Sequence, residues 1–330
     1  MTKPLAAVLV CAAMALTVAP AGAATATEAA PLKVMPLGDS ITNGLGSIPY
    51  AATVAWLDAH PGSRTDPDWE EAHTDPYNGY RPDLKARLNR AGLRTDFVGS
   101  RHSGTFGDVQ HEGHPGWTIE QINDVLADRL HTYRPDVILM HLGTNNSRRD
   151  TYTAAAPEAY RRTIEIIKAH DPAAVVFVAE IVDSARYDAT GVTRARRIDL
   201  INAAVPGIVA AAGPNFHLVD MSDIHGLDLA DAVHPNGAGY AKMAWKWYQA
   251  MNGVLGAGRW PAGNDPYSRT RVSRCISWTA APFARYAVGC HTWYLNRAKQ
   301  LWQLPVVTTR TVKVGGTTRK VSSTRWITGW

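Results

Sequence analysis

The stretch MPLGDSITNG, residues 35–44, continues the apolar run that opens at Leu32 and breaks it at Gly38. A strand that stops on glycine and hands its next residues to a loop is the form taken by the carboxyl edge of an open α/β sheet, where such folds present reactive groups. Ser40 has two readings there, a nucleophile at a strand end or an ordinary helix N-cap. The tripeptide alone does not choose between them.

Further along the chain, LKVMPL (32–37), TDFVGS (95–100), DVILMHLG (136–143), AVVFVAEI (174–181) and FHLVD (216–220) are short, apolar and bounded by Gly, Pro or Asp. Between them lie helix-period segments such as TIEQINDVLADRL (118–130) and APEAYRRTIEIIKAH (156–170). This alternation predicts a five-stranded parallel sheet covered on both faces by helices, a three-layer α/β/α sandwich. Residues 47–77, rich in Ala, Asp, Pro and His, read as an insertion or surface loop.

The termini differ in character. Lys3, the apolar run LAAVLVCAAMALTVA (5–19) and the small-x-small AGA (21–23) form a secretory signal over residues 1–23, which predicts a secreted, extracellular protein. The run is too short for a stable membrane anchor. Cys11 leaves with the signal, so Cys275 and Cys290 remain, an even pair that in an exported chain reads as one disulfide. From Arg259 to the end there are twelve basic residues and one acid, Asp265, or +11; the whole chain is +5, so the first 258 residues carry −6. After residue 252, GVLGAGRWPAGNDPYS (253–268) has the Gly/Pro punctuation of a linker. Residues 259–330 follow as a basic, aromatic appendage, in which VVTTRTVKVGGTTRKVSSTRW (306–326) predicts a hairpin about Gly315 and Gly316. Such a module suits polysaccharide or cell-wall binding, by stacking or by charge; a solvated basic face is the plainer alternative. Removing it should leave hydrolysis of a small soluble ester intact.

A serine hydroxyl becomes nucleophilic only when a base takes its proton, and that base needs a partner to hold its tautomer. DLADAVHPNGAGYAKMAWKWY (228–248) supplies Asp231 and His234, three residues apart before a helix. Asp220, Asp223 and Asp228 compete for the acid's place. Oxyanion donors are available at two other strand ends: Gly116 in HEGHPGWTIEQI (111–122), with Gly113 as runner-up, and Asn145 beside Gly143 in HLGTNNS (141–147). His111 and His114 are three apart but lack the one-face helical spacing of a zinc protease, so no metal and no cofactor is expected, and His114 is assigned to shaping the pocket. Thr42 stands where a G-x-S-x-G elbow needs its second glycine, which disfavours an α/β-hydrolase.

In this order the four pieces, GDS with Ser40, the block with Gly116, GTNN with Gly143 and Asn145, and DAVHP with Asp231 and His234, resemble the SGNH (GDSL) hydrolase family over about residues 32–252. The resemblance implies a flavodoxin-like sandwich. It also implies Ser40 as nucleophile, His234 as base, Asp231 as its partner, and an oxyanion hole of the Ser40 and Gly116 N–H groups with the Asn145 amide; Asp39, Gly143 and His114 support the site. The finer resemblance is to secreted carbohydrate esterases of the acetylxylan esterase type. In the family pattern an Asp usually follows the third block's Asn; here Asn146 stands in its place, keeping an acceptor and losing a charge. The expected reaction is removal of small acyl groups, acetyl above all, from a polysaccharide or small ester, with no nucleic-acid partner. A lipase or phospholipase on the same fold is the alternative enzyme. A wall-binding protein using the fold as scaffold is the alternative of another class.

Overall fold

In a computed structural model, the described residues are 30–48, 52, 55, 59, 76–148, 155–184, 194–231, 233–269, 271–276, 289–296, 298, 301–314 and 316–328. Residues 1–23, expected to form a signal, and most of residues 47–77, expected to form an insertion or loop, lie outside them.

The strand containing the opening stretch, β1 (Leu32–Asp39), is central to the main sheet. β2 (Thr95–Phe97) pairs with its first half and β4 (Gln110–His114) with its last residues; β5 (Val137–His141) pairs along its other edge. β6 (Val175–Ala179) and β7 (Phe216–Val219) continue the sheet beyond β5. All these ladders are parallel; only β3 (Arg101–His102), paired with β4, is antiparallel. The five strands read from the sequence are β1, β2, β5, β6 and β7, and the sheet counts seven. The two extra strands are polar and short (QHEGH and RH), so neither apolar alternation nor an apolar run marks them.

The sheet buries both faces. One carries Met35, Leu37, Ile138, Met140, Val176 and Val178 against α3 (Ile119–Tyr133), α4 (Ala156–His170), α5 (Arg194–Asn202) and α6 (Val205–Ala212). The other carries Val34, Val137, Leu139 and Phe177 against α2 (Arg81–Arg90) and α7 (Gly237–Val254). Helix α7 buries Tyr240, Met243, Ala244, Trp247, Tyr248 and Met251. These follow the i, i+3, i+4, i+7 spacing of one helical stripe, each contributing roughly 1.5–3 kcal/mol by burial for the large side chains. No described helix is both long and apolar enough to cross a membrane.

Beyond α7 the chain does not hang free. Trp260 packs on Tyr248 with ring centroids 5.6 Å apart, and its backbone N–H donates to Asn252 Oδ1 at 3.0 Å. The Tyr248 hydroxyl donates to the Pro261 carbonyl at 2.6 Å. The stretch read as a linker therefore lies along the helix. A four-stranded antiparallel sheet follows in the order β11-β10-β9-β8, made of β8 (Arg271–Ile276), β9 (Gly289–Asn296), β10 (Leu301–Val314) and β11 (Thr317–Thr328). The expected hairpin is present, with Val314 opposite Thr317 across Gly315 and Gly316. Its apolar cluster is small: Trp293, Leu304 and Ile327 are buried together with Leu227 from the loop after β7. Cys275 lies directly opposite Cys290 in the β8–β9 ladder; the Cys275 side chain is outside the described residues.

Candidate active site

Strand β1 ends on Asp39, and Ser40 opens a one-turn helix, α1 (Ser40–Asn43) in chain order before α2. Asp39, and not Ser40, is the cap: its Oδ1 accepts the Ile41 N–H at 2.9 Å. The capping alternative for Ser40 thus falls to its neighbour, which leaves the serine hydroxyl available. Gly38 permits the close approach of β1 to β5, because a Cβ there would lie 2.6 Å from the His141 carbonyl oxygen.

The loop after β7 brings up the other half. Asp231 Oδ1 accepts the backbone N–H groups of Val233 (3.0 Å) and His234 (2.9 Å), and Oδ2 lies 2.8 Å from His234 Nδ1. A carboxylate at Nδ1 keeps the proton there. His234 Nε2 then faces Ser40 Oγ as acceptor, at 2.9 Å. Burial alone would raise the Asp231 carboxyl, but the His234 hydrogen bond and charge, with the two N–H donors, hold it far below the ordinary carboxylate range. The competing acids are engaged elsewhere: Asp228 with Lys242 (2.6 Å), Asp223 with Lys246 (3.0 Å), Asp220 with Ser222 Oγ (2.7 Å).

Strand order gathers the remaining candidates. β4 and β5 flank β1, with His114 beside Asp39 and His141 beside Gly38. From the segment after β5, Asn145 Nδ2 donates at 2.8 Å to the carbonyl of Trp117, which follows β4, so this bond spans the end of β1 where Ser40 sits. Gly116 precedes Trp117 with φ +85°, and its N–H meets no acceptor among the described residues. The runner-up Gly113 is committed, its N–H donating to His111 Nδ1 at 2.9 Å. Gly143 lies at φ +102° against Ile181 and Tyr160. His114 stacks on Trp117 (4.1 Å) and its Nε2 is 2.7 Å from Glu112 Oε1, which backs the segment that receives Asn145. His111 turns instead to Ser103 Oγ, at 2.8 Å.

Asn146 has a definite task. Its Oδ1 accepts the Ile119 N–H at the start of α3 (2.9 Å), while its Nδ2 donates to Glu120 Oε2 (2.8 Å). The negative charge that an Asp would bring to this helix start comes from Glu120.

Sequence reasoning missed four positioning residues. Arg194 Nε and Nη2 donate to Ser147 Oγ (2.9 Å) and the Thr144 carbonyl (2.6 Å), and Arg197 Nε donates to the Ser147 carbonyl (2.6 Å); together they clamp the turn carrying Asn145. Arg81, fully buried, donates to the carbonyls of Val109 (2.9 Å), Asn43 (3.1 Å), Tyr77 (3.1 Å) and Ser103 (2.8 Å). Burial pushes its guanidinium down to about 10. Gly46 is the fourth: a Cβ there would come within 2.9 Å of His234 Cβ. The arginines look like surface charge in sequence, and only their helix's buried face would have singled them out.

The family model for GDSL-like lipases and acylhydrolases matches residues 37–242. The chain belongs to this family. It is an esterase or acylhydrolase of the SGNH type. It is similar to a multidomain esterase of Ruminococcus flavefaciens, with 26% identity over 76% of this chain. The chain spans only about a third (32%) of that relative's length. Among solved structures it is similar to a family 3 carbohydrate esterase of Clostridium thermocellum (31% identity, TM-score 0.52, covering 69% of this chain and 98% of that one). It is also similar to a carbohydrate esterase family 3 structure from Talaromyces cellulolyticus (25% identity, TM-score 0.49, 68% and 99%).

Proposed function

We propose that this GDSL-family chain is a secreted serine carbohydrate esterase that removes acetyl groups from a polysaccharide such as acetylated xylan. The observation that carries the reading is the continuous hydrogen-bonded line Ser40 Oγ–His234 Nε2 and His234 Nδ1–Asp231 Oδ2. His234 takes the serine proton as Oγ attacks the acetyl carbonyl, and the oxygen that becomes negative is met by the N–H groups of Ser40 and Gly116 and by the Asn145 amide. The imidazolium, stabilised by Asp231, returns its proton to the departing sugar oxygen. Water, deprotonated in turn by His234, then releases acetate from the acyl-enzyme. Likeness to the C. thermocellum carbohydrate esterase supports the substrate class. The apolar start at 5–19 supports export, and directly opposed residues of antiparallel strands, about 4.5–5.5 Å apart at Cα, suit a Cys275–Cys290 bridge.

The test compares acetate release from acetylated xylan with hydrolysis of aryl esters of two to twelve carbons. Preference for the two-carbon ester together with acetate release is expected, and Ser40→Ala should lower turnover by about 10⁴-fold or more without altering thermal unfolding. Preference for the long esters would install the lipase alternative. Wild-type protein that binds the polysaccharide and hydrolyses no ester would leave the scaffold reading.

A further inference from the structure

Between the start of α7 and the C-terminal sheet lies a cavity of about 490 Å³, within the roughly 300–1,000 Å³ of small-ligand pockets. One wall is Leu229 and Ala230, the residues leading into Asp231; facing it are Lys242, Arg269, Arg274 and Trp302. Its charges do not balance. Asp228, the one carboxylate in the lining, is bound to Lys242 at 2.6 Å. Arg269 and Arg274 have no carboxylate within ion-pair distance among the described residues. Arg274 gives one Nη1 hydrogen bond to the Ser273 carbonyl (3.1 Å), and its buried Nε has no acceptor. Burial pushes the Arg274 guanidinium below its ordinary range; the Asp228 charge opposes this, and the smaller Arg269 charge adds to it. Two mutually repelling guanidinium groups around one cavity, one with an unanswered buried donor, call for an anion whose oxygens accept from both. Trp302 adds a partly buried indole, the flat apolar surface on which a sugar ring stacks.

We propose that this cavity is a subsite for an acidic sugar residue, its carboxylate held between Arg269 and Arg274 and its ring against Trp302. The proposal rests on the polysaccharide reading above. It places an acidic branch of the substrate directly behind the loop that carries Asp231 and His234. The catalytic body and the C-terminal sheet then contribute to one site.

The experiment titrates the full chain calorimetrically with a xylo-oligosaccharide bearing glucuronic acid, its unsubstituted counterpart, and a glycerol phosphate polymer. The acidic oligosaccharide should bind at least tenfold more tightly than the neutral one. Arg269→Gln with Arg274→Gln should remove that advantage, leaving neutral binding and soluble ester hydrolysis unchanged. Arg269→Gln alone, at an exposed position, should remove part of it and guards against misfolding of the double variant. Equal binding of the two oligosaccharides, an advantage that survives the arginine substitutions, or arginine-dependent binding of the phosphate polymer at least as tight as the acidic sugar would each overturn the proposal. The readout is binding, so a chain that hydrolyses no ester yet shows the pattern loses only the catalytic reading. Ester hydrolysis without the pattern loses only the subsite.

Discussion

Trp247 and Trp293 are both fully buried, in very different surroundings. Trp247, on α7, sits in a cluster of twenty buried side chains drawn from α1, α2, α7, five strands of the main sheet and the loops beside them; Trp293, on β9, shares its cluster with three others, one of them Leu227 from the catalytic body. Outward from that cluster the long hairpin leaves Val307, Val321 and Trp326 exposed. A parallel sheet covered on both faces needs nothing outside itself to bury its strands, whereas the C-terminal sheet borrows part of its core from the loop that leads to the active site. Dependence therefore runs from the appendage towards the catalytic body, and the shared Leu227 is the place where it can run back.

The largest effect should separate the two regions. Trp247→Ala should destabilise the whole chain by about 3–5 kcal/mol, while Trp293→Ala should loosen only the C-terminal strands. Hydrogen exchange read strand by strand checks this, and equal loss of protection in β5 under both changes would break the contrast. Next, deletion of residues 269–330 strips the cover from Leu227, two residues after His225 and four before Asp231. Hydrolysis of a soluble aryl acetate should fall about tenfold. An unchanged rate would mean that the two regions are independent, as the composition of the chain suggests.

Smaller effects probe how rigidly the main body holds its loops. Asn146→Asp places a carboxylate against Glu120, and a double-mutant cycle with Glu120→Gln should return an unfavourable coupling of about 1 kcal/mol in thermal unfolding. Additive changes would mean that the pair does not set the position of α3. Smallest is Glu180→Gln. Burial, and after it the hydrogen bond and charge of Asp220, push the Glu180 carboxyl up to about 7. Because the folded state favours its protonated form, the stability it contributes is complete below the ordinary Glu range and is lost as pH rises to about 7. The half-exposed setting screens this, so Glu180→Gln should raise stability at pH 8 by a few tenths of a kcal/mol and do nothing at pH 4. Equal gains at both pH values would assign the effect to something other than titration.

Much of this molecule is legible in its sequence, for a physical reason. Strands buried on both faces must be apolar throughout and must end on residues that can turn, so β1, β5 and β6 announce themselves and point to Ser40 and Asn145; β7, which leads to the Asp231 loop, is legible as a short apolar run although its Leu218 is exposed. β4 does not, because its residues are chosen for polar duties: Glu112 for Ser100, His114 and Arg129, and His111 for Ser103. Arg194 and Arg197 are equally hidden, since a buried arginine that serves carbonyl groups has the same spelling as one in water. The residues from 253 to 268 misled in the opposite sense. Their Gly and Pro read as freedom, while Trp260 and Pro261 fasten them to α7.

Arg81 shows what such hidden arginines impose. Its counter-charge is distributed over the carbonyl dipoles of Asn43, Tyr77, Ser103 and Val109, on segments brought from before and after α2. Lysine could offer a single point charge to one or two of these oxygens; methionine would fill the volume and abandon all four, at about 1–3 kcal/mol for each acceptor left dry. The wall behind the Ser40 turn therefore accepts one side chain of the twenty, and variation that the nearby surface absorbs freely is closed to it.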